Sequence, residues 1–298
     1  MSTGTPPRSS DRGAPPVPDP METTSPAPYF LPPPEGPRKT IAQLDAAAPW
    51  RWLARGWQDL RAHAGIGLFY GVSFWLMAVV LALVFRNKPE YAISIASGCL
   101  LIGPFLAMGL YEVSRRRESG RRPDLASSLT CWDVRLRSVG LLVLVLIVLE
   151  LVWGRASLVV FAVFFNTGMP STSGVIEAVF NPQNWEFVAV YLAVGGFFAG
   201  LVYAIAVVSI PMILDRDTDA ISAAITSLQV VFTNVGVMLL WGATITVLVM
   251  LALLPWGLGL VLVGPWLGHA SWHAYRGSVL WQDDDEAEAD RGEQVSTD

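Results

Sequence analysis

The sequence predicts an all-α integral membrane protein with six transmembrane helices, both ends of the chain lying in the cytoplasm. Two observations fix the class: a mean hydropathy of +0.46 with only 15% charged residues, and apolar residues gathered into long charge-poor blocks. Each block approaches or exceeds the roughly 20 residues a helix needs to cross a hydrocarbon core. A third observation, the uneven placement of arginine between the blocks, sets the orientation.

Twelve of the 21 prolines fall within Pro6 to Pro37, among Ser, Thr and Gly. Such a composition buries too little apolar surface to fold, so residues 1–45 are expected to be a disordered cytoplasmic tail. Met1 to Pro37 also has no charged segment followed by an apolar one, so no cleavable signal is expected and the first span should target the chain. The membrane domain is expected over 46–281, with spans at 66–85, 92–112, 138–161, 187–214, 235–254 and 256–273. Residues 282–298 read as an acidic tail, because Asp283 to Asp298 holds eight acids and one base, which alone gives −7 against −5 for the whole chain.

Seven arginines, Arg115 to Arg117, Arg121, Arg122, Arg135 and Arg137, separate spans two and three, whereas Asn166 to Trp185 carries no Lys or Arg. Arginine-rich loops remain in the cytoplasm, and Arg38, Lys39, Arg51, Arg55 and Arg61 ahead of span one agree. Arg86 and Lys88 on the opposite side are too few to reverse the assignment. Cys99 and Cys131 then lie on opposite sides and cannot pair.

Leu101-Ile-Gly-Pro-Phe-Leu and Leu262-Val-Gly-Pro-Trp-Leu superpose at an offset of 161 that also places Arg115 on Arg276. Ahead of each odd-numbered span runs a short amphipathic stretch: Leu53, Trp57, Leu60, Ala64; Leu125, Leu129, Trp132, Leu136; and Ile221, Ile225, Leu228, Phe232. A spacing of four, three, four puts each set on one helix face, as in a helix lying in the membrane interface. The expectation is three parallel hairpin repeats, each preceded by an interfacial helix and related by an axis along the membrane normal.

Several residues stand out chemically. His269 and His273 share a helix face at the end of span six, with Glu112 at the corresponding place in the first copy, which is geometry for a shared metal or haem. The alternative is an interfacial belt of His, Trp and Tyr, and no cofactor is expected. Glu150, inside span three, is an intramembrane ionisable residue; Gly154 can end that span and let Arg155 reach the interface. Gly196 with Gly200, and Gly264 with Gly268, are small-xxx-small patterns for close helix packing, within or between subunits. Gly103-Pro104, Pro211 and Pro265 should kink their helices. The run Arg115 to Arg122 should meet anionic lipid headgroups and no nucleic acid. Phosphate-binding loops, nucleophile elbows, zincin motifs and cysteine clusters are missing from the sequence.

Pro49 to Trp57, Gly103-Pro104 with Tyr111-Glu112-Val-Ser-Arg-Arg116, Ile210-Pro211 with Leu214-Asp215-Arg216-Asp217, and Gly264-Pro265 with Gly268 to Arg276 together resemble the domain of unknown function 2189 family of bacterial integral membrane proteins. The resemblance covers about residues 40–280. It implies a bacterial inner membrane and no activity. The functional expectation is a non-enzymatic membrane protein acting through helix packing and lipid or protein contacts, as a homo-oligomer or with a membrane partner, in assembly or envelope maintenance. The alternatives are a small-solute or ion transporter of parallel repeats and a metal- or haem-binding redox protein.

Overall fold

The computed structural model describes Met1 and residues 39–87, 92–165 and 181–282. Most of the expected Pro-rich tail, the acidic tail from Asp283 and the loop containing Ser173 lie outside the described residues. Nine α-helices run through the described residues: α1 Ala48–Ala62, α2 Ala64–Asn87, α3 Ala92–Glu118, α4 Leu125–Thr130, α5 Leu136–Phe164, α6 Trp185–Arg216, α7 Ala220–Thr233, α8 Val235–Leu253 and α9 Leu260–Ser278. Four of them, α2, α5, α6 and α8, are long and apolar enough to cross a membrane, with a hydropathy of 2.3 to 2.4 over their most apolar windows. Leu76, Leu83, Leu144, Leu192, Phe197, Leu239 and Met250 all project outward from these four. An apolar surface of that extent is unstable in water and suited to lipid.

The core is organised around α9, which touches α1, α2, α3, α6 and α8. Small residues let the backbones close in. A methyl group at Gly56 of α1 would lie 2.6 Å from the Ala270 amide nitrogen, and one at Gly71 of α2 would lie 2.0 Å from the Val261 carbonyl oxygen. On α9 itself Gly264 faces the Phe74 ring and Gly268 faces Leu110, so this small-xxx-small pair is used within the chain. No described residue lies within 4 Å of a methyl group placed at Gly103, Gly196 or Gly200.

α1 and α7 each end at one non-helical residue that turns the chain into the following spanning helix. His63 has φ −129° and ψ 46°, and Asn234 has φ −124° and ψ 44°, each amide still bonded to the carbonyl four residues back. The second amphipathic stretch departs from expectation: it is broken into the six-residue α4 and a 3-10 turn, Asp133–Arg135. Ser128 and Thr130 hydroxyls bond back to the Leu125 and Ala126 carbonyls, and the Cys131 thiol to Ser128, which competes with helix continuation. Gly154 does not end span three either, since α5 continues to Phe164. The last helix begins at Leu260 rather than Trp256, because the chain reverses through positive φ at Trp256 and Gly257.

Of the apolar face expected on α7, Ile221, Ile225 and Phe232 are exposed and Leu228 is half-buried, while Ala223, Thr226, Ser227 and Val230 are buried. The small polar face packs on α6 beside Pro211. There the Ser227 hydroxyl accepts from the Val208 amide at 3.2 Å and donates to the Ala204 carbonyl at 2.7 Å, wedged into the α6 ladder.

A short two-stranded ribbon accompanies the helices, and its first strand falls within the segment read as tail. Lys39–Ile41 pairs antiparallel with Val279–Trp281, Lys39 opposite Trp281. Asn234 holds the following segment, accepting from the Leu44 amide at 2.8 Å and donating to the Ala42 carbonyl at 3.0 Å. Three-residue strands joined across the length of the chain leave no periodicity to read.

Gly71→Val should cost about 3 kcal/mol, because backbone rather than a flexible side chain blocks the space, whereas Gly196→Ala should stay within about 0.5 kcal/mol. Thermal unfolding of both variants in detergent measures the contrast, and equal melting temperatures would contradict this packing.

Candidate functional site

α1 starts with Pro49 in its first turn and buries Trp52, Leu53, Gly56, Asp59 and Leu60 against α9. Asp59 is therefore a carboxylate on the buried face of an amphipathic helix, only 3% exposed. A buried charge needs partners, and α3 and α9 supply them. Ser114 of α3 donates to Asp59 Oδ2 at 2.5 Å, His273 Nε2 of α9 meets the same oxygen at 2.9 Å, and the Arg117 guanidinium pairs with Oδ1. His269 Nδ1 lies 2.8 Å from the Ser114 oxygen. With the hydroxyl proton aimed at Asp59, that nitrogen must donate, so Ser114 relays between imidazole and carboxylate.

His63, at the α1–α2 junction, lies close enough to His269 to act on it electrostatically. All three histidines of the chain thus gather around one aspartate. A neighbouring network extends the cluster toward the ribbon. Glu118 accepts from Trp272 Nε1 at 2.9 Å and Arg276 Nε at 3.1 Å, while Tyr275 donates to Asp215 at 2.7 Å and Trp281 Nε1 to the Tyr275 oxygen at 3.0 Å.

Three of the sequence expectations are redistributed. His269 and His273 do enter one cluster, but the carboxylate opposite His273 is Asp59, and Glu112 is instead held by Arg115 at 2.7 Å and Arg116 at 2.8 Å. Arg116 also reaches Asp124, the N-cap of α4, at 3.2 Å. Of the run Arg115 to Arg122, the first three arginines are therefore engaged by the protein, and Arg121 and Arg122 remain exposed for other partners. Glu150 is half-buried on α5 and Arg155 is exposed, and neither takes part in the hydrogen bonds of the cluster. Pro104, Pro211 and Pro265 lie inside α3, α6 and α9, and Cys99 and Cys131 are free thiols.

The cluster's chemistry follows from who holds each proton. Burial opposes charge on Asp59, yet hydrogen bonds from His273 and Ser114 and the field of the two imidazoles overrule it and hold the carboxyl down to about 2. So weak a base cannot activate Ser114, whose oxygen is already engaged on both sides. Among the described residues no group of three His, Cys, Asp or Glu side chains is arranged to hold a metal ion. What the geometry does is tie α1, α3 and α9 together at one end of the bundle. Sequence reasoning missed Asp59 and Ser114; the available signal was an acid at position 59 in register with the apolar positions 52, 53, 56 and 60.

Residues 92–215 match the model of a family described as predicted integral membrane protein (DUF2189). The match runs from α3 through α6 and takes in Ser114, Arg117 and Glu118, leaving the α1 and α9 walls of the cluster outside it. No curated protein and no solved structure matches the chain.

Asp59 is depressed from its ordinary 3.8 to about 2. A depressed carboxylate adds stability that is fully present above its unfolded value and lost as pH falls through the folded one, here about 2 kcal/mol. Asp59→Asn should melt lower than the wild type at pH 5, and the gap should narrow by about that amount between pH 4 and 2. A gap that stays constant in detergent melts would show that Asp59 is not held this way.

Proposed function

We propose that the chain is a non-enzymatic protein of the bacterial inner membrane that acts through helix packing and through contacts with lipid or a membrane partner. The observation that carries this reading is that Asp59, Ser114 and His273 bond to one another across α1, α3 and α9, with Arg117 closing on the second Asp59 oxygen. Held in this way, Ser114 and Asp59 are not free to act as a nucleophile and its base.

In the same reading α3 and α9 cross the membrane with the other four long helices. At 19 residues α9 reaches about 28 Å, close to the roughly 30 Å of a hydrocarbon core, and its central place shields its His and Trp side chains from lipid. The near-equal backbone angles of His63 and Asn234 support repeated units of interfacial helix and hairpin. The termini are cytoplasmic on this arrangement, with Arg55, Arg61, Arg121 and Arg122 at the inner surface.

Reporter fusions after Arg137 and Ser173 should give opposite sides of the membrane, and matching signals would overturn the topology. Ser114→Ala should lower stability by about 1 kcal/mol and leave the cellular phenotype of a deletion strain complemented. Lost complementation by a variant of unchanged stability would sink the non-enzymatic reading.

A further inference from the structure

At the Asp59 cluster a pocket of about 330 Å³ opens between α1, α3 and α9, walled by Arg55, Gln58, Arg117, Glu118 and His273 together with Asp59 and Ser114 of the cluster itself. That volume falls at the lower end of small-ligand sites. We propose that it binds a phosphate group, carried either by an anionic phospholipid headgroup or by a soluble phosphorylated solute. The lipid source rests on the reading of the chain as a lipid-contacting membrane protein; the phosphate chemistry does not.

Charge matching inside the protein singles out this ligand class. Asp59 is answered by Arg117, Ser114 and His273, and Glu118 by Arg276 and Trp272, so both carboxylates in the wall have their own donors. Arg55 is exposed and makes no hydrogen bond or ion pair among the described residues, which leaves one guanidinium in excess. Gln58 stands three residues further along α1, one turn away on the same side, with an amide to add. Arg117 uses part of its five-donor fork on Asp59 and keeps the remainder. Planar guanidinium forks converging from two helices suit a tetrahedral oxyanion, and a cation would meet Arg55 instead.

The test uses the full-length protein. In nanodiscs of phosphatidylcholine with a minor fraction of phosphatidylglycerol, native mass spectrometry should show phosphatidylglycerol retained by the wild type. Arg55→Gln should retain about tenfold less. Arg61→Gln, on the same helix outside the pocket, should retain as much as the wild type. In detergent, calorimetric binding of inorganic phosphate that disappears in Arg55→Gln, without any phosphatidylglycerol preference, would assign the site to a soluble phosphate. Equal loss in Arg55→Gln and Arg61→Gln would reduce the effect to surface charge and overturn the site, as would retention and phosphate binding that ignore Arg55. Circular dichroism establishes that each variant is folded, and either overturning result leaves the Ser114→Ala test of the broader reading untouched.

Discussion

A buried carboxylate that cannot be left alone sets the terms for this bundle. Asp59 sits where α1 crosses α9, and its two oxygens take a guanidinium, a hydroxyl and an imidazole from α3 and α9. Removing any one donor leaves the others around a charge that the interior solvates poorly, which is why such groups act as a unit. An early amphipathic helix and the last helix of the bundle are thereby held in one register, more than two hundred residues apart in sequence.

The same register makes the glycine contacts possible. Gly56 and Gly71 let α1 and α2 approach the α9 backbone, and Gly264 and Gly268 return the favour toward α2 and α3. Lipid offers no hydrophobic drive between helices, so close backbone approach and shared hydrogen bonds must supply the association. α9 carries His269, Trp272 and Tyr275 with neighbouring helices packed over them, each side chain 1% exposed or less. The outer helices need no such protection and present leucine, valine and phenylalanine outward.

Polar atoms are also used to shape α6. The Ser227 hydroxyl wedged between Val208 and Ala204 sits a few residues before Pro211, where the proline already lacks an amide proton. α7 is consequently bound by its small polar face and turns its large apolar side chains outward, an arrangement suited to the interface of a bilayer. Asn234, at the end of α7, then anchors the segment that leads from the ribbon into α1.

The length of the charge-poor apolar blocks by itself determined that the chain is a helical membrane protein, because crossing a hydrocarbon layer is a local demand that each segment meets alone. The alternating faces of α1 and α7 and the shared face of His269 and His273 were legible for the same reason: helical periodicity is local. Only the tertiary structure decided that Asp59 rather than Glu112 meets His273, that Glu112 belongs to Arg115 and Arg116, and that Gly268 packs against Leu110 while no described residue approaches Gly200. Those outcomes depend on which helices become neighbours, and the partners of a buried charge lie in other helices, outside any window along the chain.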